Sequence, residues 1–179
     1  NFKTGKYFFF KKCLKNPNFQ IKKIDLKNKK KLINTIKPNS IIFHLSANAD
    51  LQFGINNRII DIKENIQVTH NILEACIKKK IKKIIFSSTG SVYGEANFFP
   101  TPEHYNYPIQ TSLYANSKNC CEGMITAYSK YFNLNYTIFR FVSVLGQKYT
   151  HGHVKDFCKK LIKNKKKIKI FSKIRIAFC

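Results

Sequence analysis

The chain has 179 residues, 44% of them hydrophobic, which is enough for one domain with a buried core and ordinary for a globular protein. No apolar run approaches the roughly 20 residues of a membrane-spanning helix, and Tyr7–Phe10 is too short for a secretory signal core, so a cytoplasmic protein is expected. The net charge of +24 is carried almost wholly by lysine, with arginine only at 58, 140 and 175; a dedicated nucleic-acid surface would favour the paired donors of guanidinium groups.

In chain order, Phe19–Ile24 reads as a strand and Lys27–Ile36 as a short helix stopped by Pro38. Ile41–Leu45 is a continuous apolar run of buried-strand type. From Asp61 to Lys79, the spacing of Ile62, Ile66, Thr69, Leu73 and Cys76 predicts a helix. Ile84–Ser88 is the next buried strand, followed by a loop rich in Pro and aromatics from Phe98 to Pro108. A helix over Ser112–Phe132, a strand over Tyr136–Phe141, a helix over His153–Asn164 and a strand over Lys167–Phe171 complete the series. Such alternation means an α/β protein with a parallel sheet covered on both faces, and in such sheets ligands bind at the carboxyl ends of the strands.

The lysine runs Lys29–Lys31, Lys78–Lys80 and Lys165–Lys167 fall at expected helix ends or loops, where they face water or complement the helix dipole. Six cysteines without any Cys-x-x-Cys pair suggest reduced, mostly buried thiols. His151 and His153 have no carboxylate or thiol company, so no metal site is expected. The chain starts at Asn1, and its sole methionine is Met124, so it is expected to be incomplete at both ends.

The chemistry-bearing residues follow the strand ends. After Ser87 and Ser88 comes Thr89, and further on Tyr114-Ala115-Asn116-Ser117-Lys118, with Tyr114 and Lys118 on one helix face. A lysine ammonium near a phenol favours the phenolate, making the tyrosine a usable base, while the Thr89 hydroxyl can hold the same substrate oxygen. The trio suits removal of a proton from a sugar alcohol as hydride leaves the same carbon. Tyr7 and Lys11 share the spacing but lack a hydroxyl-rich strand end upstream, and read as structural. Thr89 could instead cap a turn, and Asp25 the following helix. His44 reads as a satisfied strand-end histidine and Cys121 as packing.

Several segments resemble extended short-chain dehydrogenases/reductases, specifically the NAD-dependent epimerase/dehydratase family with its UDP-glucose 4-epimerase-like members. These are His44–Asp50, Asn65 with Thr69–Ala75, Ser87–Gly94, Pro102-Glu103, Tyr114–Lys118, Arg140–Gly146 and Thr150–His153, in the family's order and spacing from Asn1 to about Phe171. The resemblance implies a Rossmann-type doubly wound sheet, with residues 1–150 as the NAD-binding domain lacking its first β-α-β segment. Residues 151–179 would then begin the substrate-binding region. It further implies that Asp25, Leu26, Leu45, Ser46, Ala47, Asn65, Ser87, Tyr114, Lys118 and Phe141 bind NAD. By the same resemblance Thr89, Tyr114 and Lys118 are catalytic, and Thr89 and Ser143 meet the substrate.

The phosphate-binding Gly-x-x-Gly-x-x-Gly turn is absent from these residues. It is expected upstream, and the chain alone is expected to be inactive. The family often has Asn and Pro where Ser143 and Gln147 stand. Sugar 4,6-dehydratases of this kind carry Asp-Glu directly after the catalytic Thr, whereas Gly90 and Ser91 stand here and cannot do that acid/base work. The expected activity is therefore NAD-dependent sugar-nucleotide epimerisation, in particular of a UDP-hexose at C4. A dehydratase, decarboxylase or reductase of the same family is the alternative, and a lysine-rich nucleic-acid-binding domain the alternative of another class. A homodimer through the Asp61–Lys79 and Tyr114–Phe132 helices is implied as well, with no membrane and no specific nucleic-acid partner.

Overall fold

The computed structural model describes residues 7–48, 51–105, 109–146 and 153–163. Three strands, β1 (Ile41–His44), β2 (Lys83–Thr89) and β3 (Asn135–Phe141), form a parallel sheet in the order β1-β2-β3. Ile42 pairs with Ile84, Phe86 with Ile138 and Thr89 with Phe141. Helices α1 (Lys29–Thr35), α2 (Leu51–Asn56), α3 (Gln67–Lys78), α4 (Leu113–Phe132) and α5 (His153–Lys163) join or follow the strands. Two parallel strands cannot be linked by a hairpin, so α3 and α4 serve as the crossovers.

Helices α3 and α4 pack on one face of the sheet. There Ile84 and Phe86 meet Leu73, Cys76, Cys121 and Ile125, all buried, and α1 adds Leu32 from the side of α3. The opposite face is open among the described residues: Phe43 is 63% and Phe139 47% exposed. The same alternation therefore buries one face of each strand and leaves the other apolar and wet.

Helix boundaries follow their caps. Asn28 accepts from the Lys31 amide at 3.0 Å to open α1, and Ser112 accepts from the Ala115 amide at 3.1 Å to open α4. Asn133 ends α4 in the left-handed region at φ 54°. Gly94 lies at φ 61°, and an added Cβ would sit 2.4 Å from the Ile109 carbonyl oxygen, so only glycine fits this turn.

Four expectations are corrected. Phe19–Ile24 is not a strand: it forms no ladder with the sheet, and the exposed Lys22 and Lys23 at its centre keep it in water. Ile24 still packs against the core. Ile62 does not join the buried stripe and is half-exposed, since a π-helical turn over Ile62–Ile66 widens the helix start and turns Asp61 and Asn65 inward instead. Lys29–Lys31 open α1 rather than end it, so they oppose its dipole, and Lys29 is held by Glu74 at 2.7 Å. Of the five described cysteines only Cys76 and Cys121 are buried, the others lying on outer faces of their elements. The expected strand Lys167–Phe171 and the run Lys165–Lys167 lie outside the described residues.

Candidate active site

At the carboxyl end of the sheet, the end of β2 meets the first turns of α4. Thr89 accepts from the Ser91 amide at 3.2 Å, capping the 3-10 turn Gly90–Tyr93, so its turn-cap role is real. It also lies beside the Tyr114 phenol, which its hydroxyl favours in the ionised form. Both roles coexist in one hydroxyl group.

Lys118 is 2% exposed, donates to the Ser87 carbonyl oxygen at 2.7 Å and lies 4.5 Å from the Phe86 ring centroid. Burial pulls its ammonium down to about 8, against the opposing charges of Cys121 and Glu122. Tyr114, by contrast, is held above the usual phenol value, first by burial and then by the charge of Asp61. The Lys118 ammonium is turned to the Ser87 carbonyl, while burial, Asp61 and Thr89 set the state of the phenol.

Beside this trio, a cleft of about 250 Å³ is lined by Asp25, Leu26, Leu45, Ser46 and Ala47, joined by Glu64 and Val68. Asn71 fixes its outer wall by donating to the Leu26 and Lys27 carbonyl oxygens at 3.0 and 3.1 Å. Lys27 closes the rim in an ion pair with Glu64. Asp25 caps no helix; it takes the Lys27 amide at 3.0 Å in a tight turn.

Asn65 is buried between the two regions. Its oxygen accepts from the Asn48 amide at 2.8 Å, and its nitrogen donates to Ser117 at 2.7 Å. His44 meets Thr69 at 2.8 Å and Ser46 at 3.2 Å through its two ring nitrogens, and burial pushes its pKa down to about 3, with the Lys118 charge adding to the shift. It is a neutral strand-end histidine in the folded chain.

Phe141 ends β3 opposite Thr89 and stacks on Phe139 with centroids 5.5 Å apart. Ser143 lies two residues beyond, exposed, on the segment that crosses over Gly90, where Val142 Cγ2 comes within 3.2 Å of an added Cβ. The structure thus brings Thr89, Tyr114, Lys118 and Ser87 together, and Asp25, Leu26, Leu45, Ser46 and Ala47 together, with Asn65 between.

Behind them, Glu122 receives Ser88 and is clasped by Arg140, whose Nη2 donates at 2.8 Å, while Arg140 also reaches the Glu103 carbonyl at 2.9 Å and the Tyr93 ring. This pair joins α4, β2 and β3 directly under the site. Replacing Glu122 by Gln should leave the guanidinium without its counter-charge and cost about 3 kcal/mol, read as a lower denaturant midpoint. A midpoint unchanged within error would show that the clasp is idle.

Residues 7–176 match the profile of the NAD dependent epimerase/dehydratase family. The chain belongs to that family. It is 33% identical over 161 residues to a Methanocaldococcus jannaschii protein provisionally named a UDP-glucose 4-epimerase, covering 86% of this chain and 52% of that one. A crystal structure of UDP-galactose 4-epimerase superposes with a TM-score of 0.79 at 28% identity, over 92% of this chain and 53% of that one. UDP-glucuronic acid 4-epimerase from Bacillus cereus, in complex with UDP-glucuronic acid and NAD, gives a TM-score of 0.67 at 31% identity, over 76% and 43%. The chain spans about half the length of the relatives it matches, and its parallel sheet and covering helices are part of their Rossmann-type α/β fold.

Around this candidate site, Asn48, Asp61, Glu64, Val68 and Ser117 were not singled out from sequence. Asp61 and Asn65 did carry a signal: two polar residues four apart, on the face that α3 continues with Val68, Thr69 and Ile72, mark a polar entry to a buried stripe.

Proposed function

We propose that the whole protein is an NAD-dependent sugar-nucleotide epimerase that interconverts UDP-hexoses at C4 through a transient 4-keto sugar. One observation carries this reading: Thr89, Tyr114 and Lys118 converge at the strand ends beside the cleft lined by Asp25, Leu26, Leu45, Ser46 and Ala47. The cleft suits a dinucleotide. Asp25 offers an acceptor for an exocyclic amine, Leu26 and Val68 give apolar walls for a flat base, and Ser46 and Ala47 line the path inward. Asn65, Ser87, Lys118 and Phe141 would hold the nicotinamide end. The pyrophosphate anchor would come from a glycine-rich turn that these 179 residues do not contain. When bound, NAD supplies a hydride acceptor.

The chain's own residues do the remaining work. Tyr114 takes the proton of the C4 hydroxyl, and Thr89 holds that oxygen against it. Lys118, leaving the Ser87 carbonyl, favours the phenolate. Ser143 meets the nucleotide sugar. Tyr114 would return the same proton to that oxygen when the ketone is reduced on its other face, so no further acid is needed. A dehydratase needs one, and Gly90 and Ser91 provide none.

The reading also includes a cytoplasmic homodimer. No helix among the described residues is long and apolar enough to cross a membrane. The outer face of α4 exposes Asn116, Cys120, Gly123 and Ala127, small enough for a second helix to approach closely. The dinucleotide part is tested by titrating NAD into the whole protein. Asp25→Ala should weaken binding by about tenfold; unchanged affinity would move the adenine elsewhere.

A further inference from the structure

We propose that Asp61 is a positioning residue for Tyr114: from a buried place between the Asn48 loop and α4, its carboxylate holds the two in register and presents an unshared negative charge to the phenol. The proposal rests on the reading of Tyr114 as the proton-transferring group. Asp61 is 2% exposed. Its Oδ1 accepts from Asn48 Nδ2 at 2.9 Å and from Asn65 Nδ2 at 3.4 Å. Asn65 passes the connection to Ser117 at 2.7 Å, and Ser117 donates to the Tyr114 carbonyl oxygen at 2.8 Å. A line of polar side chains therefore runs from the loop after β1 to the turn that carries Tyr114.

Hydrogen bonding alone does not account for a carboxylate here. One oxygen takes both bonds that Asp61 makes, and an amide oxygen could accept them equally. The other, Oδ2, is buried with no hydrogen-bond partner among the described residues, which is a costly state for a charged group. Space is reserved for it: a Cβ on Gly54 of α2 would come within 2.7 Å of Oδ2.

What remains is the charge. The other carboxylates on α4 and on the elements packed against it are already paired. Glu64 is paired with Lys27, Glu74 with Lys29 and Tyr128, and Glu122 with Arg140, whose guanidinium also covers Tyr93. Lys118 is turned to the Ser87 carbonyl, His44 is neutral, and Lys63 faces outward from the π turn. Burial, and with it the Asp61 charge, keeps the Tyr114 phenol protonated against the pull of Thr89. Tyr114 is thus idle as a base until positive charge is brought beside it. The carboxylate that keeps it idle also anchors the loop bordering the dinucleotide cleft.

The test is an ultraviolet phenolate titration. The chain has nine tyrosines, so the Tyr114 component is isolated by subtracting a Tyr114→Phe partner in each background. In the unaltered protein Tyr114 should titrate above the ordinary phenol value of about 10, and Asp61→Asn should lower it by about half a pH unit or more. Identical titrations in both backgrounds overturn the proposal. So does a Tyr114 that titrates at or below the ordinary value in the unaltered protein, a measurement that stands even if Asp61→Asn does not fold. Sugar-nucleotide interconversion by the whole protein is followed separately. A shifted titration without interconversion leaves the Asp61–Tyr114 coupling intact and removes the epimerase reading. Interconversion with an unshifted titration removes the Asp61 proposal alone.

Discussion

Replacing Tyr114 by Phe should reduce sugar-nucleotide interconversion by the whole protein about 1000-fold while leaving dinucleotide affinity and thermal stability close to unchanged. The substitution removes one oxygen from a ring that is only partly buried, so packing is retained. That oxygen is the one on which the Thr89 hydroxyl and the Asp61 charge act. Thr89→Val should cost less, since it removes a hydrogen bond to the substrate oxygen but leaves the base. Kinetics on both variants read the hierarchy directly. A loss below tenfold for Tyr114→Phe would place the base on another residue.

Acid should unfold the protein through His44. In the folded chain this ring is 2% exposed and neutral down to about pH 3, whereas an unfolded histidine titrates near 6.5. Between those values the unfolded state binds the extra proton, so stability is complete above about pH 6.5 and falls as the pH drops towards 3. The slope for one such group is about 1.4 kcal/mol per pH unit, and over the window the loss reaches up to about 5 kcal/mol. That is comparable with the whole stability of many domains. Protonation would also bring a second positive charge towards Lys118 and break the acceptor role of one ring nitrogen towards Thr69 or Ser46. A His44→Gln variant, which cannot take up a proton, should lose this slope even if it is less stable at neutral pH. Equal slopes in the two proteins would assign acid unfolding to other groups.

Short β-branched runs alternating with longer helical stretches were sufficient to find β1, β2, β3 and the long helices. Phe19–Ile24 misled: its composition suits a strand, but pairing is a tertiary event that composition does not encode. The trio Thr89, Tyr114 and Lys118 was legible because the strand-then-helix order puts the end of β2 beside the first turn of α4. The wall residues Glu64 and Val68 were not, since the π turn at Ile62–Ile66 rotates the helix start in a way no simple period describes. Asp61 showed only as a polar residue four before Asn65, which marks a polar entry to the stripe but names no role. The direction of the Lys118 contact was also beyond reach, because a four-residue spacing says that two side chains share a face but not which carbonyl the ammonium chooses.

The most direct measurement of the central claim is to incubate the whole protein with UDP-galactose and catalytic NAD, then follow the nucleotide sugars and the NADH absorbance over time. The account predicts an equilibrium mixture of UDP-galactose and UDP-glucose, approached from either side, with no net accumulation of NADH. A 4-keto-6-deoxy sugar, a stoichiometric build-up of NADH, or no turnover of any UDP-hexose by a folded, NAD-bound protein would contradict it.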